Sequence, residues 1–200
     1  GATNTCTAVY NACVSLQGKL RSGDVPPEGI EAEGEIVAMW DDANYRKYSI
    51  YAYGAHFAEV GVDADTAEVR LRRMLGVFSA GRIFNAKTAR SQLIGGMVFG
   101  ISSALHEEAL VERRSGAILN RDLAGYLVPV HADITNIDAV LLDGFDEHAN
   151  VLGAKGVGEL GHCGANAAIA NAVFNATGVR VRDFPITIEK LLPGLPLLGQ

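Results

Sequence analysis

The sequence predicts an α+β fold, and three observations predict it. Helix-periodic and strand-rich stretches are mixed without the strict strand–helix–strand order of a doubly wound parallel sheet. Two strand-like runs, Ser49 to Asp63 and Glu68 to Ser79, flank Asp63-Ala-Asp-Thr66, a segment with hairpin-turn chemistry. Apolar residues recur at helical spacing in two longer segments, whose faces need a surface to cover. We therefore expect helices packed on a mostly antiparallel sheet.

Taken in order, Thr3, Asn4 or Thr5 can cap a first helix through Thr7 to Leu16, which dissolves near Gly18. Ser22 to Gly34, with Pro26-Pro27 and several Gly and Glu residues, reads as a linker. The two strands follow, and then a long helix over Thr88 to Glu108. Its Ile94, Met97, Val98, Ile101 and Leu105 share one face, with Gln92, Gly96, Gly100 and Ser103 roughly opposite. An interior Gly costs a helix about 1 kcal/mol relative to Ala, so this small-residue stripe implies close approach of another helix or a ligand. His106-Glu107-Glu108 is its wet end. Ser115-Gly116 is a turn, Ile134 to Leu142 contains a short strand, and Cys163 to Thr177 is an Ala-rich helix. Strand character returns over Val179 to Arg182, and Leu191 onward is an extended tail. The division expected is 1–34 (helix and linker), 35–190 (the main α+β domain) and 191–200 (the tail).

Composition narrows the function classes. The 200 residues are 48% hydrophobic and 20% charged, with a formal net charge of −6, so the basic footprint of a nucleic-acid binder is missing. No apolar run approaches the roughly 20 residues that cross a bilayer. There is no basic, then apolar, leader at the start, and because the chain opens on Gly1 we expect it to begin inside a longer product. Cys6, Cys13 and Cys163 are too few for a disulfide framework and read as buried thiols.

Chemistry points to Gly153-Ala-Lys-Gly-Val-Gly-Glu-Leu-Gly161. Glu159 closes this glycine-rich loop ahead of a helix. One reading makes it a carboxylate favoured by the unpaired N–H groups of a helix start. The other makes it a general base held on rigid backbone beside a substrate. Gly156 and Gly158 would let main chain run against a cofactor. Lys155 is a solvated or ion-paired charge on one reading and a balance for anionic groups on the other. The Walker A order is absent, and so is a dinucleotide fingerprint. Gln92 can be a solvated amide or a donor to a ligand lying across the Gly stripe. The histidines form no ligand cluster, and His56 reads as a packed histidine within the first strand, so no protein-ligated metal is expected.

Three blocks, in order, carry a resemblance: Tyr53-Gly-Ala-His-Phe-Ala-Glu-Val60, Gly81-Arg-Ile-Phe-Asn-Ala-Lys-Thr-Ala-Arg-Ser-Gln-Leu-Ile-Gly-Gly96, and Gly153 to Glu159. They resemble the molybdopterin-binding subunit of the xanthine dehydrogenase/aldehyde oxidase family, and the likeness continues through Val181-Arg-Asp-Phe-Pro-Ile-Thr187. It implies that Glu159 is the catalytic base and that Gln92 reaches the pterin. It implies also that Lys155, Gly156, Val157 and Gly158 line the cofactor, as does the start, Gly1, Ala2 and Thr3, which resembles the end of another cofactor loop. The family's other cofactor loops lie upstream, so the chain would be about the last quarter of the usual subunit.

The chemistry implied is base-assisted hydroxylation of an aldehyde or N-heterocycle at molybdenum bound to molybdopterin, expected in its cytosine dinucleotide form. Partner subunits would carry [2Fe–2S] clusters and, in many members of the family, FAD, and the remainder of the molybdenum subunit is itself a partner. Ser79 stands where many relatives have Asp, and Ala86 where Pro is common. Leu160-Gly161 replaces the Pro-Pro of the animal xanthine enzymes, so the likeness is strongest to bacterial aldehyde oxidoreductases. The fragment alone is expected to be inactive, and its compartment, cytoplasm or periplasm, is left undecided. Two other readings are a non-catalytic assembly fragment and an α+β module whose Gly loop holds another anion at a helix N-terminus.

Overall fold

The computed structural model describes residues 1–23, 25–37 and 41–196. The last four residues of the expected tail, 197–200, lie outside the described residues, as does Asp24 of the linker. The chain divides into two compact units. One holds residues 1–53, 79–85 and 142–156; the other holds 54–78, 86–141 and 157–200.

In the first unit, α1 runs Ala2–Arg21. The helix is longer than the sequence suggested. It starts at Gly1 with no side-chain cap, and it passes through Gly18 to end in a turn carrying Lys19 and Arg21. Those cations favour the negative end of the helix dipole. Thr3, Asn4 and Thr5 are not caps, because they lie inside the helix, where the Thr3 carbonyl accepts from Thr7 Oγ1. Lys19 Nζ donates to Glu31 O and Asn11 Nδ2 to Glu35 O, which fastens part of the Pro/Gly linker along α1. A one-turn helix, α2 (Ala43–Lys47), follows; the Asp42 carboxylate accepts from Asn44 N at 2.7 Å and caps it.

The second unit contains almost all of a three-stranded sheet, in the order β1 (Tyr53–Val62), β2 (Val69–Ser79) and β3 (Ile137–Leu142). The hairpin turn is built as its residues imply. Asp63 Oδ1 accepts from Asp65 N, Thr66 N and Thr66 Oγ1, and Asp63 N closes onto Glu68 O. Met74 N donates to Asn136 O just before β3, and past the strand ends Gly144 lies beside Gly81. β3 therefore runs parallel to β2, and the small sheet is mixed.

Two helices, α3 (Ala86–Leu105) and α4 (Ala165–Thr177), cover the sheet. The core joins Leu71, Met74 and Phe78 of β2, Leu93, Met97 and Ile101 of α3, and Ile169 and Val173 of α4. Each large side chain buried this way contributes about 1.5–3 kcal/mol. The buried face of α3 is turned from the one expected: Leu93, Met97, Gly100, Ile101 and Ala104 are buried, while Ile94, Val98 and Leu105 are only half-buried. The cause is the small-residue stripe. A Cβ on Gly96 would strike the Gly161–His162 backbone, and one on Gly100 would strike Ala165 at the start of α4. The stripe is a helix-packing seam.

α4 ends on Gly178, which adopts the left-handed conformation (φ 74°) and donates its N–H to Phe174 O. The strand expected over Val179 to Arg182 does not form. Val179 and Val181 reach the core as half-buried side chains, and no backbone ladder pairs them. Ile186 N donates to Ala104 O, closing the end of α3. A short helix α5 (Ile188–Leu191) and a 3₁₀ turn (Leu192–Gly194) occupy the start of what read as an extended tail. Among the described residues no helix is long and apolar enough to cross a membrane.

Candidate functional site

In the second unit, Glu159 sits on a single turn that precedes α4. Its carbonyl accepts from His162 N at 2.9 Å and Cys163 N at 3.2 Å. α4 itself begins six residues on, with Gly164 as its N-cap and no acidic residue in its first turn. The capping role considered for Glu159 therefore lacks its helix terminus. The carboxylate is exposed and has no hydrogen bond or ion pair among the described residues.

The main chain around that carboxylate is held from both sides. Gln92, near the start of α3, donates from Nε2 to Gly158 O at 2.7 Å. His56, on β1, lies 2.9 Å from Gly161 O through Nε2. A carbonyl only accepts, so Nε2 carries the hydrogen. Burial lowers the pKa of this imidazole, outweighing the raising effect of the Gly161 bond. The neutral form is therefore favoured, and it still donates. His56 is packed, as its sequence position suggested; its contact with the Glu159 turn had no sequence signal.

The same turn offers donors. The N–H groups of Val157, Gly158 and Glu159 reach no acceptor among the described residues. A Cβ added at Gly158 would meet open space. Such a run of free main-chain donors with an unobstructed face suits a large ligand rich in acceptor or anionic groups.

The first unit holds the earlier half of the loop. Gly153 has φ 66°, its carbonyl accepts from Arg82 N at 2.7 Å and Asp146 N at 3.1 Å, and the Phe145 ring fills the space where a side chain would stand. Lys155 N donates to Ala80 O, and Lys155 Nζ pairs with Asp146 Oδ2 at 3.1 Å. Its ammonium also lies 5.7 Å from the centre of the Tyr53 ring. Burial would raise the Asp146 pKa, but the hydrogen bonds from Lys155 and His148 N and the Lys155 charge hold it below the usual carboxylate value. These groups line an open recess of about 410 Å³ with Ser49, Phe145 and His148. Gly156 faces open space. Gly1, Ala2 and Thr3 form the start of α1 in this unit.

Sequence reasoning thus named Gln92, Gly158 and Glu159, and the fold brings them together in the second unit. Lys155 and Gly156 stand in the first unit, as do Gly1 to Thr3 at the head of α1. The partners His56 and Asp146 were missed. Among the described residues no group of three or more His, Cys, Asp or Glu is placed to hold a metal ion. The three cysteines expected to be buried are all exposed and unpaired, because each lies on a helix or turn face that the core does not cover.

The molybdopterin cofactor-binding domain family matches residues 27–135. The aldehyde oxidoreductase molybdenum-binding subunit PaoC of Escherichia coli O157:H7 is 47% identical over 98% of this chain. The gamma subunit of the 6-hydroxypseudooxynicotine dehydrogenase complex of Paenarthrobacter nicotinovorans is 34% identical over 82% of it. Among solved structures, the aldehyde oxidoreductase of Desulfovibrio gigas superposes with a TM-score of 0.64 at 33% identity, covering 72% of this chain and 15% of that one. The chain spans only 30% of the length of the first of these relatives and 21% of the second.

Proposed function

Because the chain belongs to the molybdopterin cofactor-binding domain family, we propose that it is the C-terminal part of a molybdenum-binding subunit that hydroxylates an aldehyde or N-heterocycle, with Glu159 as the general base. The observation that carries this reading is the state of Glu159: an exposed carboxylate without a partner, on a turn whose main chain is bonded on both flanks. An exposed carboxylate without a partner is free to take up a proton, and the bonds to Gly158 O and Gly161 O hold the main chain beneath it in place.

The residues present fit a pterin cofactor, since free N–H donors and open glycine faces lie on this loop. Gln92, Lys155, Gly156, Val157 and Gly158 would hold it, together with Gly1, Ala2 and Thr3. When bound, molybdopterin with molybdenum supplies the oxygen-transfer and electron-accepting chemistry; the protein supplies placement and electrostatics. Glu159 takes up, on a carboxylate oxygen, the proton released as the substrate is hydroxylated. Gln92 spends one N–H on Gly158 O and keeps its amide oxygen for a ligand. Lys155 keeps ammonium N–H groups beyond the one taken by Asp146. The cytosine dinucleotide form of the cofactor, and partner subunits carrying [2Fe–2S] clusters and, as in many members of the family, FAD, complete the proposal.

The test is Glu159→Gln in the full subunit with its partners. Turnover per bound molybdenum should fall by roughly 10²–10⁴-fold, the usual contribution of a general base, with molybdenum content unchanged. Near-wild-type turnover would end the assignment.

A further inference from the structure

His56 lies 105 positions from Gly161 in the chain, yet its imidazole is locked against the turn that carries Glu159. Three contacts fix the ring. Its Nε2–H donates to Gly161 O at 2.9 Å. It meets the Phe78 ring edge-on at 5.1 Å between centroids, and Phe78 is fully buried. Its Nδ1 side faces Gly164, where any Cβ would collide with Nδ1. Gly161 is pressed from its other side, because a Cβ there would strike the Leu93 carbonyl of α3. Gln92, from α3, holds Gly158 O at 2.7 Å. One donor from β1 and one from α3 therefore grip the carbonyls two residues after and one residue before Glu159.

We propose that His56 is a positioning residue: donating from Nε2 to Gly161 O, it works with Gln92 to fix the main chain that presents the Glu159 carboxylate. This rests on the reading of Glu159 as the base. Phe78 and Gly164 set the ring's direction, and the N-cap of α4 is Gly where the imidazole occupies the space of a side chain.

The experiment uses the full molybdenum subunit assembled with its partners. His56→Phe keeps an aromatic ring against Phe78 but removes the donor; His56→Gln returns an N–H donor. Gly164→Ala leaves His56 intact and pushes its ring away, and it serves if neither His56 variant accumulates. Two quantities are read: kcat per bound molybdenum alongside KM, and hydrogen exchange at the His162 and Cys163 amides, both of which donate to Glu159 O.

In His56→Phe and Gly164→Ala, kcat per molybdenum should fall about 10- to 100-fold with KM nearly unchanged, as expected for a displaced reacting group. Exchange at the two amides should quicken, and His56→Gln should recover most of both. Unchanged turnover and exchange in His56→Phe would overturn the proposal, and so would a loss that Gln does not rescue and that tracks lost molybdenum. Glu159→Gln, run alongside, separates the two readings. Full turnover there ends the base assignment and this proposal with it. A loss there with none in His56→Phe ends this proposal alone.

Discussion

Lys155 Nζ stands 3.1 Å from Asp146 Oδ2, and their side chains retain only 11% and 20% of their exposure, which makes this the most sheltered ion pair among the described residues. Removing one member leaves the other charge unmatched in a partly dry setting. Asp146→Asn should cost about 1–3 kcal/mol, read as a lower thermal midpoint of the assembled subunit. Adding Lys155→Met to Asp146→Asn should recover part of that loss, because the stranded ammonium goes with it.

The same pair sets a pH dependence. The Asp146 carboxyl titrates below its ordinary value in the folded chain. Its stabilising contribution is thus complete above the unfolded carboxylate pKa of about 3.9, and it is lost as pH falls through the lower folded value. Acid titration of the thermal midpoint should be shallower over that range in Asp146→Asn than in the parent.

Glycines on α3 should behave oppositely according to the direction they face. A Cβ at Gly100 would meet Ala165, so Gly100→Ala should destabilise by about 1–3 kcal/mol despite better helix propensity. Gly95 faces open space, and Gly95→Ala should stabilise by about 0.5–1 kcal/mol. Paired thermal midpoints check both; equal shifts of the same sign would contradict the seam.

For the Glu159 variant, Glu108→Gln is the better control. Glu108 is exposed, whereas the neighbouring Glu107 accepts a hydrogen bond from Tyr126 Oη at 2.7 Å. Turnover per molybdenum should be unchanged in Glu108→Gln. The 200-residue chain on its own should retain no molybdenum through gel filtration, since it spans 30% of the related PaoC subunit. Stoichiometric retention would refute that expectation.

The local chemistry was legible from residue order. Asp63 to Thr66 made its turn, the segments around α3 and α4 made helices, and glycine spacing drew attention to Glu159. Boundaries were less legible: α1 runs through Gly18, because a single Gly costs only about 1 kcal/mol within an otherwise favourable helix. The Val179 to Arg182 segment has strand-forming residues, but no strand pairs with it.

By itself, the sequence determined the three main helices, the hairpin and the loop bearing Glu159, because periodicity and turn propensity reside in neighbouring residues. Only the tertiary structure decided which way the Gly96/Gly100 stripe faces, that Asp146 answers Lys155, and that Gln92 and His56 hold the two ends of the Glu159 turn. Those last bonds join residues 66 and 105 positions apart. Nothing within a local window encodes such a pairing; it exists only once the packing of β1, α3 and α4 has brought the donors to the carbonyls.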